Sequence, residues 1–169
     1  KNNIDTSNHM NSKLFGMLDV LGFSKFNETH ELEDVIHYYA QLQENVSHFI
    51  ALSALSSVKS FVISDTICVM PAKQPQMFSY NCFFLYLSML LNHSCRNLYN
   101  GKLLPLRGAI SFDEYVFDSQ RKIFLGKAIS VAYKWEQKQK WVGASICPDL
   151  VEGSMPDTLD FKPLTERKL

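Results

Sequence analysis

Two aspartates stand out for the company they keep. Asp19 lies within Gly-Met-Leu-Asp-Val-Leu-Gly-Phe-Ser, and Asp65 within Phe-Val-Ile-Ser-Asp-Thr-Ile-Cys-Val. Each is the only charged residue of an apolar stretch, and each adjoins a turn signal. A carboxylate in such a setting is costly if it stays charged and unpaired. Two of them close together repel, and a divalent cation removes the conflict; hard oxygen ligands suit Mg²⁺ or Mn²⁺. The structural alternative makes Asp19 a turn cap and Asp65 a hairpin-turn residue, a common place for aspartate. Just past Asp19, Gly22 lets the backbone approach a ligand closely. The amides of Leu21, Gly22, Phe23 and Ser24 then stand ahead of a helix, where they could cradle phosphate oxygens.

Phosphoryl transfer also needs cations for the phosphates and for the charge that develops on them. Arg107 stands in Leu-Arg-Gly-Ala-Ile-Ser, a strand-like stretch, and Lys134 stands one helical turn after Ser130. Residues four apart share a helix face, so Ser130 and Lys134 can address one ligand together. The alternatives are a solvated face shared with Lys138 and Lys140 for Lys134, and an ion pair within the sheet for Arg107. None of the five histidines pairs with another at metal-ligand spacing. His37 and His48 fall in the first helix, where packing is their expected role. The four cysteines include no Cys-x-x-Cys pair, which speaks against zinc. Their apolar or helical surroundings predict buried free thiols and a reducing, cytoplasmic setting.

The elements that must position these residues follow from the hydrophobic pattern. Leu14 to Leu21, ending at Gly22, predicts a buried strand followed by a tight turn. Leu32, Val35, Ile36, Tyr39, Leu42, Val46, Phe49 and Ile50 recur at helical steps, with Asn27 or Thr29 as the expected cap. Val58 to Met70 is broken at Ser64-Asp65 and predicts a hairpin, ended by Pro71 and Pro75. Phe78 to Tyr99 predicts a second long helix, apolar nearly all round in its first half and stopped near Gly101. Strands follow at Leu104 to Phe112 and Tyr115 to Phe117, then a turn at Asp118-Ser119-Gln120. A third helix runs over Gly126 to Lys140 with Ile129, Ala132 and Trp135 inward, and a last strand over Trp141 to Ile146. This order predicts an α+β fold, a mainly antiparallel sheet with helices packed on it. Residues 1–12 read as a loose polar arm, residues 13–169 as one domain, and the proline-bearing tail from Pro148 as loop.

The chain has 169 residues, 46% of them hydrophobic and 20% charged, with zero formal net charge. That length buries enough surface to fold without disulfides or a structural metal. Zero net charge speaks against a nucleic-acid coat or an anionic-membrane binder, but not against a small anionic ligand. The most apolar run, Cys82 to Leu91, is too short to span a bilayer.

Four blocks carry a resemblance that covers about Phe15 to Ile146. They are Leu18-Asp19-Val20-Leu21-Gly22-Phe23-Ser24, Ser64-Asp65-Thr66, Arg107-Gly108-Ala109-Ile110-Ser111, and the run from Gly126 to Glu136. On them the chain resembles the class III nucleotidyl cyclases, with their ferredoxin-like core, and more closely the bacterial pyrimidine cyclases of Pycsar anti-phage defence. The resemblance implies that Asp19 and Asp65, helped by the Val20 carbonyl, hold two Mg²⁺ or Mn²⁺ ions, and that the amides from Leu21 to Ser24 take the triphosphate. It implies in-line attack of a ribose 3′-hydroxyl on the α-phosphate with loss of pyrophosphate. It also implies a head-to-tail homodimer, in which third-helix residues reach the partner's metals.

The departures from the purine-cyclase pattern are specific. Ser130 stands for an Asn and Lys134 for an Arg, which loses the forked guanidinium geometry. Phe61 stands for the purine-reading Lys and Ile123 for its Asp partner. Asp113 stands for a Gly at a bend. The expectation is a cyclase that makes a 3′,5′-cyclic pyrimidine monophosphate from UTP or CTP, with a lean to UTP. In it Lys134 and Arg107 contact phosphate or base, Ser130 orients ribose or phosphate, and Phe61 and Ile123 line the base pocket. A cyclic-nucleotide effector is its implied downstream partner; nucleic acid and membrane insertion are not expected. Two rivals stay open: an inactive cyclase-fold regulatory or nucleotide-binding domain, and a purine cyclase with unusual base contacts.

Overall fold

In the computed structural model, residues 13–49, 56–74, 76–99, 101–118, 120–121 and 123–148 are described, without the side chains of 47–49. The expected N-terminal arm, most of the proline-bearing tail and the His48 side chain lie outside the described residues.

Strand β1 (Lys13–Val20) is apolar without alternation because both of its faces are covered. Leu14, Leu18 and Val20 point to one side and Phe15 and Met17 to the other, and the two sets belong to separate cores. Helix α1 (Phe23–Thr29) and the long helix α2 (Leu32–Phe49) follow. Strands β2 (Val58–Ile63) and β3 (Thr66–Pro71) form the expected hairpin, paired from Val58 opposite Pro71 to Ile63 opposite Thr66. After helix α3 (Met77–Arg96) comes a minimal hairpin, β4 (Leu98–Tyr99) and β5 (Lys102–Leu103). Strand β6 (Leu106–Asp113) leads into a second hairpin, β7 (Tyr115–Asp118) and β8 (Ile123–Gly126). Helix α4 (Lys127–Lys138) and strand β9 (Gly143–Ile146) complete the described chain.

The main sheet has the order β2-β3-β1-β6-β9. All its pairs are antiparallel except β6 with β9, which the crossover through α4 makes parallel. One face carries α2 and α3, whose Val35, Tyr38, Leu42, Phe83, Leu87 and Leu90 meet the strands. The other carries α4 and the β7–β8 hairpin. This is the predicted α+β layer arrangement.

Several local expectations are corrected. Asn27 and Thr29 do not cap α2; they lie inside α1, and the Thr29 hydroxyl donates back to the Lys25 carbonyl at 2.8 Å. The second long helix ends at Arg96 rather than Tyr99, with Asn97 extended. Gly101, at φ 77°, serves the β4–β5 turn rather than the helix end. The first half of α3 is not buried all round, since Phe78 and Leu85 are exposed. Strand β8 was hidden by its short, irregular apolar run. Cys95 is exposed, while Cys68, Cys82 and Cys147 are buried. Asp113 ends β6, and its carboxylate accepts a hydrogen bond from the Glu114 amide at 2.8 Å.

The central pair β1–β6 runs the full length of both strands, from Lys13 opposite Asp113 to Val20 opposite Leu106. Its closeness depends on Gly108. A Cβ there would run into the Met17 carbonyl oxygen, the Leu18 Cδ2 and the Leu18 Cα, and the two backbone atoms cannot retreat without opening the strand pair. Gly108→Ala is therefore expected to destabilise the fold by about 2–4 kcal/mol, as measured by denaturant unfolding.

Candidate active site

Asp19 is the penultimate residue of β1, on the face that α4 covers, and it stands opposite Thr66 of β3 and Arg107 of β6. Asp65 occupies the two-residue turn between β2 and β3. The turn is pinned to the end of β1, because the Val20 amide donates to the Asp65 carbonyl at 3.1 Å. Its first residue, Ser64, takes the left-handed conformation with φ 57°, a cost accepted to reverse the chain in two residues. The Tyr39 hydroxyl holds the same turn from α2, donating to the Ser64 carbonyl at 3.2 Å. Burial pushes the Tyr39 hydroxyl far up in pKa, with Tyr38, Asp65 and Asp19 adding, so Tyr39 stays a neutral donor.

The two aspartates are thus brought together. Burial raises the Asp19 carboxyl from its ordinary 3.8 to about 6, and the Asp65 and Glu136 charges push it the same way, against the pull of Arg107. Asp65 is also close enough to act as a hydrogen-bond partner when a proton sits between them. This is the electrostatic conflict that the sequence pattern implied.

Arg107 is not a free cation. Its Nε and Nη2 donate to Glu136 Oε1 at 2.6 and 2.5 Å, and its Nη1 donates to the Gln139 carbonyl at 3.3 Å. Its distance to Asp19 Oδ2 is 3.8 Å. Glu136 was missed by the sequence reasoning. It continues the buried stripe Ala128-Ala132 of α4 at four-residue steps and is 1% exposed. A carboxylate in that stripe requires a buried partner, and a lone arginine in a strand is the signal that one exists. Gln139 adds a further tie, its side-chain amide donating to the Gly108 carbonyl and the Ser145 hydroxyl.

The expected phosphate cradle is narrower than Leu21 to Ser24. The Leu21 amide is already taken by the Pro105 carbonyl at 2.9 Å, so Leu21 leaves the set. Gly22, with φ 81°, turns the chain, and Phe23 and Ser24 open α1, where amides have no preceding turn to bond. Lys25 and Lys102, unremarked in the sequence, line a groove beside Leu21 and Gly22.

Ser130 and Lys134 are exposed on α4, roughly half a helical turn from the Ala128-Ala132-Glu136 stripe that meets the sheet. Within one chain they do not join the acidic pair. Phe61 is stacked on Phe117 at 5.1 Å and meets Phe124 edge-on at 5.1 Å, while Ile123 is part-exposed on β8. Among the described residues, no group of three or more His, Cys, Asp and Glu is arranged to hold a metal. The donor set at this point is two hard carboxylates whose mutual repulsion a cation relieves, and that chemistry fits Mg²⁺ or Mn²⁺. None of the described helices is long and apolar enough to cross a membrane.

No family model and no curated protein matches this chain. Solved structures do match. The guanylate cyclase domain from Catenaria anguillulae in complex with GTP is 12% identical with a TM-score of 0.67, over 86% of this chain and 84% of that one. The catalytic core of a rhodopsin-guanylyl cyclase with converted specificity, in complex with ATPαS, is 12% identical with a TM-score of 0.68, over 86% and 83%. The adenylyl cyclase CyaB from P. aeruginosa is 18% identical with a TM-score of 0.54, over 80% and 76%. The fold is that of nucleotidyl cyclase catalytic domains.

Since the folded-state value of Asp19 lies above its ordinary one, its ionised form costs stability above about pH 6. The cost fades as pH falls toward 3.8. In metal-free buffer, Asp19→Asn is expected to raise the melting temperature by a few degrees above pH 6 and to leave it unchanged in strong acid. Calorimetry across that range checks this, and a flat difference would show that the carboxyl is not under strain.

Proposed function

We propose that this chain is a nucleotide cyclase that converts a pyrimidine nucleoside triphosphate, UTP or CTP, to its 3′,5′-cyclic monophosphate and pyrophosphate. The observation that carries the reading is the pair Asp19 and Asp65, brought together at one end of a cyclase-type sheet, where the Asp65 charge bears on the Asp19 carboxyl. Asp19 and Asp65, with the Val20 carbonyl, are the residues that would hold two divalent cations. Those cations, when bound, lower the pKa of the ribose 3′-hydroxyl and neutralise the departing pyrophosphate.

The chain's own residues supply position. The amides of Gly22, Phe23 and Ser24 receive the triphosphate where the chain turns into α1. Tyr39 and the Ser64 turn fix where Asp65 points. Lys134 and Ser130 serve the site of a second copy, because on their own chain they face away from the aspartates. Lys134 has no ion-pair partner among the described residues, which leaves its ammonium for a phosphate. Phe61 and Ile123 offer apolar contact where a purine cyclase has polar readers, and this supports a pyrimidine. The resemblance to Pycsar cyclases extends the reading to an anti-phage second messenger in the cytoplasm, read by a downstream effector, with UTP favoured.

Incubating the protein with each of ATP, GTP, CTP and UTP and Mn²⁺ is expected to yield one cyclic pyrimidine product. A cyclic purine would move the assignment to the rival substrate class, and no product from any of them would leave the regulatory-domain reading. Asp65→Ala is expected to fold but to lose turnover by about 10³-fold or more. The shared-site arrangement makes a separate prediction. Asp65→Ala and Lys134→Ala proteins, each inactive alone, are expected to regain up to about a quarter of wild-type activity when mixed, through heterodimers with one intact site. A mixture that stays inactive argues for a site complete within one chain.

A further inference from the structure

The β1–β6 register puts Arg107 directly across from Asp19, in adjacent strands on one sheet face. Opposite charges so placed ordinarily pair with each other. Here the pairing is loose: the guanidinium stands 3.8 Å from Asp19 Oδ2, an ion-pair distance beyond hydrogen-bond reach. It gives its two close bonds, 2.5 and 2.6 Å, to Glu136, which descends from α4. The Gln139 carbonyl takes a third at 3.3 Å, from the same helix end. Glu136 is 1% exposed and Arg107 is 22% exposed, so the pair meets in a region largely withdrawn from water. Two carboxylates, Asp19 and Glu136, share this one guanidinium, and Asp65 and Glu136 both bear on Asp19.

We propose that Glu136 is a positioning residue that holds Arg107 away from Asp19 and thereby keeps the Asp19 carboxylate open to a divalent cation. The proposal rests on the metal-binding reading given above. Without Glu136, the nearest anion for Arg107 is Asp19, and a guanidinium seated there occupies the oxygens a cation needs. Glu136 therefore acts on the metal through Arg107, and touches neither metal nor substrate. A plain structural role, pinning α4 to β6, would affect stability alone.

The test is a titration with Mn²⁺ alone, followed by the loss of the free-ion electron paramagnetic resonance signal. It compares wild type, Asp19→Asn, Glu136→Gln and the double variant Arg107→Gln/Glu136→Gln, with circular dichroism reporting the fold. Glu136→Gln is expected to weaken Mn²⁺ binding about tenfold or more. The double variant is expected to restore binding to the wild-type level or tighter, since the competing cation is gone. Unchanged affinity in a folded Glu136→Gln protein overturns the proposal, and so does a folded double variant that binds more weakly than wild type. Should Glu136→Gln fail to fold, the double variant, which removes the buried Arg107–Glu136 pair as a unit, decides alone. If wild type binds no Mn²⁺, or Asp19→Asn binds it equally well, the metal reading itself falls and this inference with it. If wild type binds through Asp19 and Glu136→Gln matches it, only the inference falls.

Discussion

The whole arrangement depends on a charge placed where a charge is costly. Asp19 belongs to the central strand of a sheet that is covered on both faces, and it meets a second carboxylate at the strand's end. Burial and repulsion together make this one of the least comfortable groups in the molecule. Fold stability would be better served by a neutral residue, and the neighbouring structure is organised around tolerating the ionised one. The β2–β3 turn is tied to β1 through a backbone bond, Tyr39 fastens the turn from behind, and Arg107 supplies partial compensation from the next strand. A scaffold that fixes two neighbouring carboxylates this firmly would already have met the organisational cost of holding a cation between them.

The helical layers divide the labour unequally. Helices α2 and α3 make an ordinary apolar core with one sheet face, and α2 reaches the β2–β3 turn through Tyr39. Helix α4 has two roles at once. Its alanine stripe permits close approach to β6 and β1, and the same stripe ends in Glu136, which reaches the arginine beneath. Its opposite face carries Ser130 and Lys134 outward. A single amphipathic helix thus connects the interior electrostatics to an exposed polar face.

The sequence made the large elements legible because their signals are long. Strand β1, the β2–β3 hairpin, the three major helices and the α+β order follow from periodicity and turn residues, and so do Asp19 and Asp65, since an isolated charge in an apolar run is conspicuous. What escaped is what depends on tertiary context. Helix α1 is too short for a periodic pattern, so its Asn27 and Thr29 looked like caps for the helix beyond. Strands β4, β5 and β8 hold two to four residues each, and their pairing comes from packing rather than propensity. Leu21 looked like part of the cradle because nothing in its neighbourhood reveals that Pro105, far along the chain, takes its amide. Glu136 looked like one more polar residue near a helix end, because the arginine that explains it lies in another element.

Gly108 has a consequence of a different kind. It touches no ligand and carries no charge, yet the β1–β6 pairing that sets Asp19 opposite Arg107 closes only because this position lacks a side chain. A steric demand that absolute resists drift as strongly as any chemical one. Among sequences that share this architecture, the glycine beside Arg107 is expected to persist even where Asp19 and Asp65 are lost. Constancy at this position would report the geometry of the sheet, whereas constancy at the aspartates would bear on the proposed chemistry.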